Sequence, residues 1–380
     1  MRGSHRSAIA ALVAAAAIFA AGCGSSADDT DSGGAAAGEP FVAEREAGIR
    51  GDLPPEARRL WRYDTATGRY VAVAGDASGF RPDLRRPARS FTLAYMDPWA
   101  SSPFAIPIRE GVEREAKRLG LELIYCDAAF KADKAVECAE LLARQRPAFA
   151  VAGNWQAGAA DALMRVFDEA RVPTASIDVW QPNSIFYGAD NYTSGEIAGR
   201  AAGAYAQREW NCEDVWLFMG ENKEEGKAAD QRLVGFADGV QSVCGTIAGD
   251  RIHRQRMAAA TGDQALTVTT DWLTAHPQAE HVLAVTIDDP RAAGIAKAIG
   301  QSGRDGQVAG MTCDDVGVEL TKQGPASETN FLGCVAFFPE RAAEYLVGIA
   351  LDVVEGKAVP EEVHLQHEFL THENIGETYP

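Results

Sequence analysis

The feature that most constrains the fold is a β-α-β unit in residues 91–127. Residues 91–96 form a short apolar, β-prone run that ends in a proline-containing turn, which is typical of a buried strand. Apolar residues such as Phe104 and Ile108 then recur at helical spacing, and residues 121–125 resume as a strand. The crossover of such a unit is right-handed, and open α/β sheets bind small ligands at the carboxyl ends of their strands.

Strand and helix patterns alternate along the rest of the chain, and the series starts over near Val215. Apolar runs at 148–152 and 172–177 belong to a first set of strands, and runs at 281–287 and 308–312 belong to a second set. Two successive series predict two doubly wound, Rossmann-like α/β lobes. A single barrel would need eight regular units without such a restart.

The amino terminus has the features of an export signal. Residues 1–22 combine a basic start with an apolar run that is too short for an ordinary membrane-spanning helix. Cys23 directly follows Ala-Gly, which resembles the bacterial lipobox and implies cleavage before Cys23 and lipid attachment to it. Plain secretion and a retained anchor are the alternatives. Residues 23–40 are rich in Gly, Ser and Ala, a composition that predicts a flexible tether.

Residues 41–89 form an amino-terminal extension whose role the sequence leaves open. Prolines and glycines interrupt it, but residues 60–63 and 70–73 are strand-like and flank the turn-forming residues 65–68. This pattern predicts a small hairpin, which either packs on the main body or acts as a spacer.

The chain has a formal net charge of −18, because acidic residues outnumber basic ones. Nucleic-acid binding depends on Lys and Arg side chains that neutralise phosphates, so this balance argues against a nucleic-acid partner. A highly soluble, solvated surface is the simpler interpretation of the charge.

The cysteines that remain beyond Cys23 contain no C-x-x-C pair, so a zinc site or a thioredoxin-type motif is not expected. An even number of cysteines in an exported chain favours disulfides, although many pairings are possible. We favour pairing between sequence neighbours, with buried free thiols as the alternative. The expected pairs are Cys126 with Cys138, Cys212 with Cys244, and Cys313 with Cys334.

Polar and aromatic residues follow several predicted strands, at the edge where ligands bind. Carboxylates accept pairs of hydroxyl hydrogen bonds, guanidinium groups donate in a rigid fork, and Trp faces cover the apolar side of a sugar ring. Singly, such an Asp is often a helix cap and such a Trp often belongs to the core. Their joint occurrence in both series predicts a site for a small hydroxyl-rich solute. The candidates are Trp99, Ser102, Asn154, Trp155, Asp178, Trp180, Arg232, Asp288 and Asp314.

No catalytic or cofactor motif accounts for these residues as well. The chain lacks a dinucleotide fingerprint, a Walker loop, a Gly-x-Ser-x-Gly elbow and a His-Glu-x-x-His pair. We therefore expect neither an enzyme nor a cofactor or metal site. His364, His367 and His372 could suggest a metal site, but their spacing favours an exposed terminus. The two Asp-Asp pairs at 288–289 and 314–315 could bind a cation, yet each also fits a binding Asp followed by a helix cap.

Several short segments occur in a characteristic order. They are Ser102-Pro103-Phe104 before Gly111, Pro173 to Asp178, Ala189-Asp190-Asn191 before Gly195, Arg232 before Gly235-Phe236, Asp288-Asp289 before Gly294, and Pro339 after Phe338. Each segment is weak evidence alone. In this order and spacing, from about residue 90 to residue 375, the chain resembles the ribose-type (type I) periplasmic binding proteins, the solute-binding components of sugar ABC importers.

The resemblance implies roles for individual residues. Asp178 and Arg232 match the family's sugar-hydroxyl Asp and Arg, and Asp314 matches a further binding Asp. Phe104 matches a stacking Phe, and Phe337 lies at a hinge position where the ribose proteins have a polar side chain. Two further candidates, Ser102 and Asp288, stand where Asn is common.

Other positions depart from the family pattern. Val179 stands where an Arg often follows the first Asp, and no aromatic residue near 258–260 matches the second stacking residue. These departures suggest a solute other than ribose, more apolar or larger, with Trp99, Trp155 and Trp180 as walls of the site.

The resemblance also implies a three-strand hinge, with crossovers near 189–191, 337–338 and 366–367. Lobe 1 would then be 90–189 plus 339–366, and lobe 2 would be 190–338 plus 367–380. The expected mechanism is hinge closure on a sugar-like solute, followed by docking on a membrane ABC permease. The expected state is an extracytoplasmic, lipid-anchored monomer.

Three other functions use the same fold or compartment. A sensor that signals to a membrane kinase or chemoreceptor would use the same clamp, so the sequence does not separate it from a transport protein. An exported enzyme would need a nucleophile–base pair, which we do not find. A DNA-binding repressor conflicts with the export signal and the acidic charge.

Overall fold

A computed structural model describes residues 59–75, 77 and 80–380. The predicted signal segment, the lipidation site Cys23 and the tether lie outside the described residues. The described chain contains two six-stranded sheets and one three-stranded sheet.

Lobe 1 is built on a parallel sheet of six strands. In spatial order these are β14 (Glu362–His364), β7 (Ile185–Gly188), β6 (Thr174–Ile177), β5 (Phe149–Ala152), β3 (Thr92–Asp97) and β4 (Glu122–Asp127). The helices of this lobe are α1 (Ala105–Leu119), α2 (Ala132–Arg144), α3 (Ala160–Ala170) and α10 (Ala342–Val354).

Lobe 2 is built on a second six-stranded sheet, in which one edge strand is antiparallel. Its spatial order is β15 (Glu368–Leu370), β12 (Phe331–Ala336), β11 (Asp305–Thr312), β10 (His281–Val285), β8 (Val215–Glu221) and β9 (Ile252–Arg256). The helices of this lobe are α4 (Asn191–Trp210), α5 (Gly226–Cys244), α6 (Gly262–Ala275), α7 (Asp289–Ser302), α8 (Asp315–Gln323), α9 (Ala326–Thr329) and α11 (Ile375–Thr378).

The central strands are buried on both faces, because helices cover both sides of each parallel sheet. In β3, Leu93 and Tyr95 belong to one hydrophobic cluster, whereas Ala94 and Met96 belong to the cluster on the opposite face. Near-continuous apolar runs are therefore the expected sequence signature of these strands, and the predicted doubly wound fold is confirmed.

The amino-terminal extension contains the predicted hairpin, formed by β1 (Leu60–Asp64) and β2 (Arg69–Val73). The hairpin packs on lobe 1 and is not a free spacer. The Tyr70 hydroxyl donates to the carbonyl of Thr174 at 3.0 Å, and the side chain of Arg69 pairs with Asp168 at 2.9 Å. In addition, β1 pairs antiparallel with β13 (Val359–Pro360), which follows α10.

The chain passes between the lobes at three places: from β7 to α4, from β12 to α10, and from β14 to β15. His367 connects all three. Its Nε2 accepts from the backbone N–H of Asp190 at 3.1 Å, and its Nδ1 lies 3.2 Å from the carbonyl oxygen of Ala336. The imidazole is therefore neutral, with the proton on Nδ1 donated to Ala336. The His367 ring also packs on Phe337, with centroids 4.7 Å apart.

Three disulfides join Cys126 to Cys138, Cys212 to Cys244, and Cys313 to Cys334. This is the pairing of sequence neighbours that the sequence favours. The second bridge joins the end of α5 to the turn after α4, and the third joins the end of β11 to β12. By restricting the unfolded chain, each should stabilise the fold by roughly 3 kcal/mol.

The carboxyl-terminal segment differs from the sequence expectation. His364 and His367 do not lie on an exposed tail, because the His364 side chain is 5% exposed and bonds Glu362, and His367 is partly buried at the crossovers. His372 is exposed as expected, and its Nδ1 lies 3.1 Å from the carbonyl oxygen of Thr321. The short strands β14 and β15 form edge strands of the two large sheets. Backbone hydrogen bonds therefore hold this segment against the lobes although its sequence is polar. Within the described residues, no helix combines the length and apolarity that crossing a bilayer requires.

Candidate functional site

A cavity of about 270 Å³ lies between the lobes, where the carboxyl ends of strands from both sheets face each other. The lobes touch beside it, since a Cβ placed on Gly226 of lobe 2 would lie 2.7 Å from the Cβ of Ala157 in lobe 1. The cavity is therefore lined by residues of both lobes.

Lobe 1 supplies an aromatic wall from the loops that follow β3, β4 and β5. The rings of Trp99 and Phe130 stack at 5.4 Å between centroids, and those of Phe104 and Trp155 lie 6.0 Å apart. Ser102 lies between Trp99 and Phe104 in the sequence and is buried. Its carbonyl oxygen accepts from backbone N–H groups in the first turn of α1. Such rings present flat apolar faces and exclude water from a small ligand.

Lobe 2 positions the cationic residue of the wall through two tightly packed helices. A Cβ on Gly195 of α4 would lie 2.0 Å from the carbonyl oxygen of Arg232, and one on Gly235 of α5 would lie 2.1 Å from the carbonyl oxygen of Tyr192. Glycine at these positions therefore allows the helix backbones to touch. This contact fixes the position from which the Arg232 side chain extends from α5 towards the cavity.

The Arg232 guanidinium is buried and held on three sides. Its Nε donates to Oδ1 of Asn191 at 2.7 Å, and its Nη1 donates to the carbonyl of Ile287 at 2.6 Å. The group also lies over the ring of Phe337, 4.8 Å from the centroid. Burial lowers the pKa of Arg232, and the carboxylate of Asp178 opposes that shift.

Asp178 follows β6 and faces the cavity from lobe 1. Its backbone has a φ of 58°, in the left-handed region that Asp tolerates better than most residues. Its Oδ1 accepts from the backbone N–H of Ala189 at 3.2 Å, and within the described chain no group bonds Oδ2. Burial raises the pKa of Asp178 to about 6, although Arg232 counteracts the shift.

Asp288 follows β10 and both caps a helix and forms an ion pair. Its Oδ1 accepts from the backbone N–H of Arg291 at 3.0 Å, and its Oδ2 pairs with the guanidinium of the same residue. The Arg291 side chain is fully buried directly behind the cavity wall. Asp288 therefore lines the cavity with both oxygens already engaged.

Asp314 follows β11 and caps α8. Its Oδ1 accepts from the N–H groups of Val316 and Gly317, whereas its Oδ2 has no hydrogen-bond partner in the described part of the chain. Burial, followed by the charge of Asp288, raises the pKa of Asp314 to about 7. Asp289 lies behind it, fully buried, and accepts from the N–H of Asp314 at 3.0 Å. Burial and the nearby Asp314 also raise the pKa of Asp289 well above its usual range.

Eight of the predicted site residues share the wall of this cavity. They are Trp99, Ser102, Phe104, Trp155, Asp178, Arg232, Asp288 and Asp314.

Three predicted site residues lie off the cavity wall. Asn154 is buried and bonds Gln156 and Gln181, so it shapes the loop after β5. Trp180 is 48% exposed at the surface, although its neighbour Val179 is buried and lines the cavity. Phe337 is fully buried behind Arg232.

Several further residues of the wall were not predicted from the sequence, among them the aromatic Phe130 and the acidic Glu225. Phe130 follows β4 in the same way that Trp99 follows β3, so the rule about strand ends would have found it. Glu225 precedes α5, and its Oε1 accepts from Asn222 at 2.9 Å. Burial raises the pKa of Glu225 to about 7.

A larger cavity of about 920 Å³ lies beside the three crossovers and the amino-terminal hairpin segment. It is lined mainly by the carboxyl-terminal segment and residues before β3. The smaller cavity lies at the carboxyl ends of strands from both sheets, where α/β folds bind ligands, and is therefore the candidate site. Throughout the described chain, no three His, Cys, Asp or Glu side chains are grouped to hold a metal ion.

A family match and two curated relatives all point to binding proteins. The family described as "Periplasmic binding protein domain" matches residues 93–358. The ribose import binding protein of Bacillus subtilis is 24% identical over 292 residues, which is 74% of this chain and 89% of that protein. The ribose import binding protein of Salmonella typhimurium is 23% identical, over 70% of this chain and 86% of its own length.

Solved structures share the fold at low sequence identity. A solute-binding protein from Mycobacterium smegmatis with bound glycerol has a TM-score of 0.65 and 20% identity, and covers 76% of this chain and 96% of its own. One from Actinobacillus succinogenes with bound D-allose has a TM-score of 0.63 and 18% identity, over 75% of this chain and 99% of its own.

Proposed function

Because the chain belongs to the periplasmic binding protein family, we propose that it is a lipid-anchored solute-binding protein of an ABC importer. It captures a sugar or sugar-like molecule between its lobes and delivers it to the membrane permease. The relatives named for ribose import support the transport role, and the structural neighbour with D-allose supports the solute class.

One observation carries the proposal: an aromatic wall on lobe 1 faces carboxylates and a guanidinium on lobe 2 across a small cavity. Ring faces suit the C–H side of a sugar, whereas carboxylates and Arg232 suit its hydroxyl groups. A solute that contacts both walls binds the closed form better than the open form, and this difference in affinity drives closure.

Thermal unfolding in the presence of candidate solutes tests the proposal. Residues 24–380 would be screened against monosaccharides, disaccharides, polyols, nucleosides and amino acids. A solute at 100 times its dissociation constant adds about 2.7 kcal/mol to the free energy of unfolding. We expect stabilisation by monosaccharides or polyols, since the cavity of about 270 Å³ suits small ligands. Stabilisation by amino acids or nucleosides alone would contradict the solute class.

The lipid anchor rests on the sequence around Cys23. In a bacterial host, we expect fatty-acid labelling of the wild-type chain and its recovery in the membrane fraction. The Cys23→Ala variant should lose the label and leave that fraction, while its binding of the solute stays the same. Labelling of the variant would contradict the assignment.

Delivery to an importer requires a separate experiment. Uptake of the identified solute should fall in cells without this gene and recover with the wild-type gene, but not with Asp178→Ala. Unchanged uptake after deletion would favour a sensing role for the same clamp.

A further inference from the structure

The charges on the cavity wall do not balance. Asp178, Glu225, Asp288 and Asp314 line the cavity, and Arg232 is the single basic residue among the described wall residues. A wall made only for neutral hydroxyl groups has no need for such an excess of carboxyl groups, since each buried carboxylate is costly to ionise.

The buried groups behind the wall do not restore the balance. The guanidinium of Arg291 pairs with Asp288, and its Nη2 lies 3.8 Å from Oε1 of Glu225, so two acids share one cation. Asp289, which is fully buried behind Asp314, adds another carboxyl group. Five carboxyl groups therefore surround two guanidinium groups at this end of the cleft.

Two carboxylate oxygens are left for a ligand. Oδ2 of Asp178 in lobe 1 and Oδ2 of Asp314 in lobe 2 have no hydrogen-bond partner within the described chain, and these residues are only 5% and 3% exposed. Neither residue forms an ion pair with a described basic side chain, because Arg232 is engaged by Asn191 and Ile287. Hydrogen-bond donors of a solute between the lobes would satisfy these oxygens.

We infer that the preferred solute carries a protonated amine together with its hydroxyl groups, as in an amino sugar or an amino polyol. This inference rests on the proposed solute-binding function and narrows it to one chemical class. An ammonium group compensates the excess carboxylates, and its donors suit an unpaired carboxylate oxygen such as Oδ2 of Asp178 or of Asp314. The aromatic wall favours a cation as well, through the faces of Trp99 and Trp155.

The ionisation of the wall supports this choice. Burial raises the pKa of Asp178 to about 6 and those of Glu225 and Asp314 to about 7. Near neutral pH these groups are therefore partly protonated, and an incoming cation favours their ionised forms. Binding of an amine should release protons and should weaken as the pH falls below about 7.

Calorimetry at pH 7 tests the inference. The probes are D-glucosamine, D-galactosamine and D-mannosamine, each with its neutral parent hexose and its N-acetyl derivative. We expect at least one amine to bind tenfold or more tightly than both its parent and its N-acetyl form, with proton release measured in buffers of different ionisation enthalpy. Equal or tighter binding of a neutral form overturns the inference but leaves the proposed function intact. Absence of binding by all nine compounds overturns the inference. The proposed function fails as well only if the wider thermal screen finds no sugar or polyol that binds.

A pair of charge-neutralising variants distinguishes the effect of a carboxylate on the cavity wall from that of a carboxylate beside the wall. Glu225→Gln removes one wall carboxylate and should lower the affinity for the amine about tenfold, which is more than its effect on the affinity for a neutral sugar. Glu224→Gln makes the same change one residue earlier, where the side chain pairs with Arg256 outside the cavity wall. It should leave both affinities unchanged. Equal losses for amine and neutral sugar in Glu225→Gln would contradict the charge argument.

Discussion

The two lobes share one fold but give the cavity opposite chemistry. Lobe 1 supplies mainly rings, with Asp178 as its single acid on the wall, whereas lobe 2 supplies Arg232 and three carboxyl groups but no aromatic ring. The difference follows from where the residues stand. The rings lie in loops after strands of lobe 1, whereas the acids of lobe 2 lie at or beside the amino termini of α5, α7 and α8.

In the proposed function, this division makes a ligand-binding clamp out of two half-sites. Rings alone would bind many apolar surfaces weakly, and charged groups alone would remain hydrated. A solute becomes fully desolvated only when both walls close on it, so each lobe supplies a part of the affinity that the other does not.

The largest expected effect comes from lobe 2. Arg232→Met keeps an apolar stem over Phe337 but removes the cation, which leaves Oδ1 of Asn191 without its buried donor and Asp178 without the nearby positive charge. We expect the affinity for the solute to fall roughly a thousandfold, or about 4 kcal/mol. Arg200→Met on α4, whose side chain is 61% exposed and pairs with Glu196, is the control and should bind normally. Calorimetry measures both, and a loss below tenfold in Arg232→Met would contradict its role.

The hinge between the lobes gives a second test. Burial lowers the pKa of His367 to about 4, from 6.5. A histidine whose pKa is lowered by folding stabilises the fold above pH 6.5, and that stability is lost as the pH falls towards 4. Relative to His367→Gln, the wild type should therefore lose about 3 kcal/mol between pH 6.5 and pH 4.

Chemical denaturation at a series of pH values measures this difference. His281→Gln, at the start of β10 and away from the crossovers, is the control and should keep the pH dependence of the wild type. If His367→Gln also keeps it, the imidazole is not the group that titrates at the hinge.

Asp178 should show a conflict between binding and stability. Folding raises its pKa from 3.8 to about 6, so the stability present at low pH is lost as the pH rises through 6. Asp178→Asn should therefore stabilise the ligand-free protein at pH 7.5 by up to about 3 kcal/mol, while solute binding weakens. The gain should shrink towards pH 4.5, where the wild-type carboxyl group is protonated. Thermal unfolding at both pH values checks this, and lower stability of the variant at pH 7.5 would contradict the burial cost.

The smallest effect is expected from the rings of lobe 1. Trp99→Ala removes one member of the stacked pair with Phe130 and should cost about 2 kcal/mol of binding, or roughly thirtyfold in affinity. Trp180→Ala is the matched control, because this Trp is 48% exposed and lies off the cavity wall. Calorimetry on both variants distinguishes the wall from the surface. A larger loss in Trp180→Ala than in Trp99→Ala would reverse the assignment.

Much of this architecture could be predicted from the sequence. Apolar runs buried on both faces indicated the strands, and the restart near Val215 indicated the second lobe. The acidic residues at strand ends indicated three of the four carboxyl groups on the wall, those of Asp178, Asp288 and Asp314, because the carboxyl ends of parallel strands meet at one edge of a sheet.

The rest of the site could not be predicted, because it depends on the direction of side chains in loops, where hydrophobic periodicity carries no information. Trp180 is exposed although Val179 beside it lines the cavity, and no sequence pattern specifies this difference after the left-handed turn at Asp178. Asn154 turns to bond Gln181, a residue that is distant in sequence. The short strand β14 was missed because three residues carry too little pattern, although backbone pairing with β7 holds them.

The most direct test of the clamp compares one change in each lobe. The affinity of the best-binding solute would be measured by calorimetry for the wild type, for Trp99→Ala in lobe 1, and for Asp314→Asn in lobe 2, where Asn retains the helix cap. The two-walled site predicts a tenfold or greater loss in both variants, with normal folding. Loss in only one of them would show that a single lobe holds the solute and would contradict the clamp.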